Sequence, residues 1–194
     1  MKRIAVMFIV LSMLCGLAVG FAQDKSRDAA QNPAGFRGDF LKDVSDVQKK
    51  ITDLAGAMPQ EKYSWRPMEG VRSVSEVFNH IAGSNYFLPT MVGAKAPEGY
   101  SSDEGKKLTD KAKVVENLKE SFDYLKGLMM KTTDADLDKP TKWFGEDVTV
   151  RFVYFQIATH LHEHLGQSIA YARSNNVVPP WTAAQEAAQK NSKK

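Results

Sequence analysis

Three of the four histidines of this chain lie within the short string THLHEHLGQ, residues 159–167. His160 and His164 are four residues apart, so on a helix their rings lie on one face, where both can bind one metal ion. His162 lies on the far side of such a helix, because each helical residue turns by about 100°. The spacing therefore predicts a metal-binding pair, His160 and His164, from which His162 is excluded.

The remaining histidine, His80, is the candidate for a third ligand. It lies among apolar residues on the inward face of another predicted helix, where an imidazole without a partner would cost free energy. Three neutral imidazoles, from His80, His160 and His164, suit a divalent ion such as Zn²⁺ or Ni²⁺. A site with three protein ligands leaves a position for water or substrate, as catalytic metal sites do.

The string HLHEH, residues 160–164, also fits H-x-x-E-H, the signature of the inverzincin proteases, in which the glutamate is the general base. That class has a further carboxylate ligand downstream, and Glu186 is the only acidic side chain after His164. We therefore favour His80 as the third ligand. Glu163 and Gln167 lie on the polar side of the same helix. One possibility is that Glu163 or Gln167 orients a ligand imidazole, and Glu163 is also the candidate general base. The alternative is that both residues belong to an ordinary solvated face.

Apolar residues recur every three or four positions in four stretches, which predicts four amphipathic helices. The first covers residues 40–58. The second begins at the capping box of Ser73 and Glu76, and Pro89 is expected to kink or end it. The third covers residues 108–129, with Leu108 and Val115 on its apolar face. The fourth runs over residues 149–174, before the string NNVVPPW. The segments between them, residues 132–147 included, are predicted to be loops without strands. The predicted fold class is all-α, a four-helix bundle.

Residues 1–22 have the pattern of a secretory signal peptide: the basic string MKR, an apolar run, and small residues, Gly20 and Ala22, before the cleavage position. The alternative is a membrane anchor, but the run is near the lower length limit for crossing a bilayer. We expect cleavage, export to the periplasm or the outside of the cell, and no stable membrane insertion afterwards. Residues 23–35 are predicted to form a flexible linker, residues 36–181 the bundle domain, and residues 182–194 a C-terminal tail.

Composition excludes several classes of function. The single cysteine, Cys15, lies in the predicted signal peptide, so the mature chain has no disulfide, thiol nucleophile or zinc-thiolate site. Removing Lys2 and Arg3 from the 26 basic residues leaves 24, against 23 acidic residues. Such a balance offers no basic field for nucleic acid. The partners that stay open are a small-molecule substrate and a second copy of the chain in a homodimer.

The chain resembles the DinB/YfiT-like metalloenzyme family, which is unrelated to the DNA polymerase that shares its name. The resemblance covers about residues 36–181 and is carried by the strings YSWRPMEGVRSVSEVFNHIAGSNYF, VTVRFVYFQIATHLHEHLGQSIAYAR and NNVVPPW. It implies a four-helix bundle with a metal on three histidines, one from the second helix and an H-x-x-x-H pair from the last long helix. The matching positions are His80, His160 and His164. Some relatives are transferases or isomerases that use intracellular thiols such as bacillithiol or mycothiol.

These observations predict an exported, metal-dependent enzyme of the hydrolase or thiol-dependent transferase type. Hydrolysis is the simpler chemistry outside the cytoplasm, because water needs no supply and the thiols are intracellular. The alternative is a non-catalytic exported bundle that binds a metal or another ligand, because the sequence offers no acid–base set apart from Glu163.

Overall fold

The structure is a computed structural model that describes residues 33–98, 100 and 107–192. The predicted signal peptide and residues 23–32 of the predicted linker lie outside the described residues. The chain divides into two units, residues 1–39 and residues 40–194. In the first unit, residues 35–39 form the start of a helix.

Helices make up most of the described chain, and a small antiparallel sheet lies between two of them. The elements in chain order are α1 (Gly35–Ala57), α2 (Val74–Phe87), α3 (Lys111–Lys131), α4 (Asp134–Leu137), β1 (Pro140–Trp143), β2 (Glu146–Thr149), α5 (Val150–Ser174) and α6 (Pro180–Asn191). Two short 3₁₀ helices occupy Gln60–Lys62 and Leu88–Val92. Within the described residues, no helix combines the length and the apolar composition that crossing a membrane requires.

The predicted apolar face of α1 is buried as expected. Its members are Phe40, Val44, Val47, Ile51, Leu54 and, just beyond the helix, Met58. At α2 the predicted capping box is present: the Ser73 side chain accepts from the Glu76 backbone N–H, and the Glu76 carboxylate accepts from the Ser73 N–H at 2.6 Å. The α-helix ends at Phe87, two residues before Pro89, and continues as a 3₁₀ turn. Both ends of α2 therefore follow the sequence signals.

The third helix begins later than predicted. Asp110 caps it by accepting a hydrogen bond from the Lys113 N–H at 3.0 Å, which leaves Leu108 in the preceding loop. There the Leu108 carbonyl accepts from the buried Asn79 side chain of α2 at 2.7 Å. Inside α3, Val114 is buried and Val115 only partly so, whereas the rest of the predicted apolar face is buried as expected: Leu118, Phe122, Leu125 and Met129.

The prediction of a strand-free loop over residues 132–147 is wrong. That segment contains α4 and most of a hairpin in which Pro140 pairs with Thr149 and Trp143 with Glu146. The two turn residues, Phe144 and Gly145, both have positive φ (47° and 99°), as tight hairpins with the right-handed twist require. Strands of four residues without a buried side chain are too short to show alternating hydrophobicity.

The last long helix, α5, begins and ends where the sequence predicts. Thr149 caps it by accepting from the Phe152 N–H at 3.2 Å, and it ends at Ser174. The following helix α6 is not predicted from the sequence, and none of its residues is buried. Its Pro180 at the first position and its alanine-rich composition favour a helix without such packing.

Helix α2 is the element on which the site depends. Ten of its fourteen residues are buried, and it packs against both α3 and α5. A helix covered on several sides is held firmly in rotation and translation. The side chains that α2 presents to α5 therefore have a fixed position.

Candidate metal centre

The three histidines predicted as ligands meet at one point between α2 and α5. The Nε2 atom of His160 lies 3.1 Å from Nε2 of His80 and 3.1 Å from Nε2 of His164. His164 is buried, and the other two rings are partly buried. One nitrogen from each of the three rings lies within 4.8 Å of the others, so the group could hold a metal ion.

The electrostatic environment keeps His80 and His160 in the uncharged form that binds metals. Burial lowers the pKa of His80 to about 4, helped by the positive charge of Arg72 and by His164. Burial also lowers the pKa of His160 to about 4, with His164, His80 and Arg72 acting in the same direction. At neutral pH both imidazoles are therefore uncharged, and each has a nitrogen lone pair available for a cation.

A chain of hydrogen bonds fixes which nitrogen of His164 carries its proton. The Arg72 carbonyl can only accept, so the Tyr171 hydroxyl donates to it at 3.0 Å. The same hydroxyl then accepts from the Gln167 amide nitrogen at 3.2 Å. The Gln167 amide oxygen, in turn, accepts from Nδ1 of His164 at 2.8 Å. His164 therefore holds its proton on Nδ1 and turns the lone pair of Nε2 toward the other two histidines.

The surroundings of the two ring nitrogens of His160 indicate whether the three histidines fit a metal ion. Its Nδ1 is buried and has no hydrogen-bond partner among the described residues. Its Nε2 faces two other ring nitrogens, one of which is the unprotonated Nε2 of His164. Because few of these nitrogens carry a proton, the three rings cannot all hydrogen-bond to one another. A cation between them would instead accept all three lone pairs. The donor set therefore fits a divalent ion of the borderline class.

The other residues singled out on α5 have different surroundings. Gln167 contacts His164 directly, whereas Glu163 is exposed and makes no hydrogen bond or ion pair with the described residues. The role of Glu163 as a base therefore stays a prediction. His162 is exposed and lies apart from the three-histidine group, with Nε2 2.9 Å from a carboxylate oxygen of Asp43 on α1.

A cavity of about 900 Å³ lies beside the histidines, in the size range of small-molecule sites. His80 lines it, together with Arg66, Arg72, Glu76, Tyr86, Phe87 and Tyr100. Arg72 is not among the site residues predicted from the sequence. Its place directly before the capping box was the available signal, because it puts this side chain at the start of α2, two turns before His80.

Known proteins were compared with the chain by sequence and by fold. A family model described as the DinB superfamily matches residues 44–168, a span that includes all three histidines. No match was found among curated proteins.

Two solved structures are similar to this one in fold. A DinB-like protein from Bacillus cereus ATCC 10987 has a TM-score of 0.65 at 17% identity, and the match covers 73% of this chain and 93% of that one. A DinB-like protein from Bacillus subtilis has a TM-score of 0.59 at 21% identity, covering 72% and 93%. At such low identity these likenesses show a common fold alone.

Proposed function

We propose a metal-dependent enzymatic function, and its premise is that the chain belongs to the DinB superfamily. The observation that carries the proposal is the convergence of three imidazole Nε2 atoms, one of which belongs to a residue that also lines a large cavity. A three-histidine set beside a cavity of ligand size is typical of catalytic metal sites. The proposed protein acts on a small molecule, as a hydrolase or a thiol-dependent transferase.

We also propose that the four long helices form a four-helix bundle: α1, α2, α3 and α5. Several contacts support this arrangement. Phe40 of α1 packs edge-on against Tyr154 of α5 with ring centres 5.2 Å apart. Gln48 of α1 donates a long hydrogen bond of 3.4 Å to Asp123 of α3. Helix α2 packs against α3 and α5, so each of the four long helices contacts at least two others.

In this proposal His80, His160 and His164 hold a divalent ion, most simply Zn²⁺ or Ni²⁺. When bound, such an ion supplies Lewis acidity that lets water or a thiol lose its proton near neutral pH. The remaining work belongs to the chain itself. Burial keeps the His80 and His160 rings neutral, and the hydrogen bonds of Gln167 and Tyr171 hold His164 in one tautomer.

Hydrolysis is the reaction type that we favour. The apolar run and small-residue cleavage site of residues 1–22 support export to the periplasm or the outside of the cell. Water is abundant in those compartments, whereas the thiols used by some relatives are intracellular. A thiol-dependent transfer therefore needs a co-substrate that the proposed location does not supply.

A non-catalytic metal- or ligand-binding protein is the second candidate, and one observation favours it. Among the described residues that line the cavity, Glu76 is the only carboxylate. It accepts from the Ser73 N–H and pairs with Arg66, and these bonds, the backbone bond first, lower the pKa of Glu76. A carboxylate held in this way is a weak general base. On this reading the site binds without turning over a substrate.

The two candidates differ in whether the bound ion keeps an exchangeable position. In the Co²⁺-substituted protein, azide should change the visible absorption spectrum if the three histidines are the only protein ligands. A spectrum that does not respond to azide would contradict the enzymatic proposal and favour a closed structural site. The control is the same titration on His162→Ala, which should respond as the natural protein does because His162 lies outside the group.

Measurements of metal affinity can distinguish the role of Gln167 from that of Glu163. Gln167→Ala removes the acceptor that holds Nδ1 of His164, and the loss of such a partner typically weakens metal binding about 10- to 100-fold. Gln167→Glu keeps an acceptor oxygen and should recover part of the loss. Glu163→Ala, on the exposed face of the same helix, should leave affinity within about twofold of the natural value. The measurement is competition with a chelator of known affinity. Equal losses in Glu163→Ala and Gln167→Ala would contradict the assignment.

A further inference from the structure

Arg72 is a cation that lines the cavity. Its side chain is exposed and, within the part of the chain that the structure describes, makes no hydrogen bond or ion pair. Its backbone is fixed, because its carbonyl accepts from the Tyr171 hydroxyl at 3.0 Å. Its charge is close enough to His80 and His160 to lower the pKa of both rings. The guanidinium therefore lies near both the cavity and the three histidines.

The other charges of the cavity lining cancel. Arg66 donates to the Val71 carbonyl at 2.8 Å and pairs with Glu76 at 3.2 Å. These two side chains are opposite in sign, and both already have partners. The charge of Arg72 is consequently left over, so the described lining has an excess of one positive charge. A planar guanidinium with free N–H groups is the side chain best suited to a carboxylate.

Three aromatic side chains also line the cavity: Tyr86, Phe87 and Tyr100. Tyr86 of α2 stacks in a tilted arrangement on Tyr100, with ring centres 4.4 Å apart. Burial raises the pKa of Tyr86 to about 12 and that of Tyr100 in the same direction, so both phenols stay neutral and do not repel an anion. At the mouth, Phe87 is 54% exposed and lies 6.5 Å from the ring of Phe144 at the hairpin tip. Exposed aromatic rings beside a cavity favour a ligand with an apolar body.

We infer that the cavity binds a small carboxylate with an aromatic or similarly apolar body. The carboxylate pairs with Arg72, and the body lies against Tyr86, Phe87 and Tyr100. The inference names the substrate class of the site proposed above and in that sense rests on the proposed function. The binding itself uses only side chains of this chain, so it can be measured without a metal.

The test is isothermal titration of chelator-treated protein with three probes: 4-phenylbutanoate, its neutral amide 4-phenylbutanamide, and butanoate. We expect the aromatic acid to bind at least about threefold more tightly than the amide, a difference that shrinks as salt screens the charge. We also expect the aromatic acid to bind more tightly than butanoate, which lacks the ring. No detectable binding of 4-phenylbutanoate, or equal binding of the acid and the amide, would overturn the inference.

Matched variants assign each half of the ligand. Arg72→Met should remove the preference for the acid over the amide, whereas Arg173→Met, the same change at an exposed arginine of α5 outside the cavity lining, should keep it. Phe87→Ala should lower the affinity for 4-phenylbutanoate by about threefold. Phe155→Ala is its control, since Phe155 is also 54% exposed but does not line the cavity. Equal effects in a variant and its control would overturn that half of the inference.

The outcomes for this inference and for the proposed function are distinct. Loss of metal binding with intact binding of 4-phenylbutanoate would remove the enzymatic proposal and leave the carboxylate site. Metal binding without a preference for the acid would leave the metal centre and overturn the carboxylate site. Because Arg72 and Phe87 are exposed, their variants should fold, and circular dichroism checks this. The comparison of acid with amide in the unmodified protein needs no variant at all.

Discussion

His80→Ala, His160→Ala and His164→Ala should each lose the bound metal, and His162→Ala should keep it. The Nε2 atom of His160 lies 3.1 Å from those of His80 and His164, and the three ligand atoms lie within 4.8 Å of one another, so each ring supplies one ligand to the same point. Removing one of three leaves two nitrogens, a set that holds borderline ions weakly in competition with water. His162 points away and contacts Asp43 instead, so its loss takes no ligand from the group.

The size of the effect follows from linkage between binding and folding. A ligand that binds only the folded state stabilises it by RT ln(1 + [L]/Kd), about 3–4 kcal/mol at a 100- to 1,000-fold excess over Kd. For a domain of this size that is a rise in melting temperature of roughly 5–15 °C. The rise should be present in the natural protein and in His162→Ala, and absent in the other three variants. The measurements are metal stoichiometry by elemental analysis and melting temperature with and without chelator.

The control variant has a small cost of its own. His162→Ala removes an exposed pair with Asp43, which is worth less than about 1 kcal/mol and is the same with and without metal. If His162→Ala lost its metal while His80→Ala retained it, the proposed ligand set would be wrong. Metal retained in all four variants would place the site elsewhere in the chain.

The helices and the histidine group could be predicted because their signals are local and strong. The apolar repeat of α1, the capping box of Ser73 and Glu76, and the spacing of His160 and His164 each fix the geometry of a few consecutive residues. His80 lies eighty residues before His160, and no local rule joins them. His80 can still be predicted as the third ligand, because a histidine on a buried helix face needs a partner.

The parts that sequence reasoning missed depend on contacts between distant segments. The hairpin has no buried strand residue and is tied to the turn after α2 by a bond from the Thr141 hydroxyl to the Met91 carbonyl. Helix α3 begins at Lys111, beyond Leu108, whose carbonyl is held by Asn79 of α2. The cavity is formed where α2 meets Tyr100, a residue in a segment without periodicity. None of these pairings leaves a pattern within one stretch of sequence.

The second large effect concerns pH. In the metal-free protein, the free energy of unfolding should fall as the pH is lowered from about 6.5 toward about 4. The folded-state pKa of His80 and of His160 is about 4, below the ordinary value of 6.5. Between those pH values the two histidines bind protons in the unfolded chain but not in the folded chain. Lowering the pH therefore favours the unfolded state. Above pH 6.5 neither state binds these protons, and below pH 4 both do, so the change is confined to that window.

Each ring contributes at most about 1.4 kcal/mol per pH unit in this window, and less where solvent screens it. The measurement is urea unfolding at several pH values between 7 and 5 with chelator present throughout, a range chosen because most carboxylates titrate below it. His80→Gln combined with His160→Gln should give a flatter profile than the natural protein. His162→Gln, which removes an exposed imidazole outside the group, is the matched control and should not flatten the profile.

The comparison between the profiles decides whether the folded group consists of neutral imidazoles. Desolvation is the largest cause of the low pKa at both His80 and His160, so the slope measures how far the folded chain withdraws these rings from water. If the natural protein were as flat as the double variant, the folded rings would accept protons as readily as the unfolded ones. His80 and His160, whose Nε2 atoms lie 3.1 Å apart, would then repel each other as cations, and a donor set of that kind would bind protons in preference to a metal.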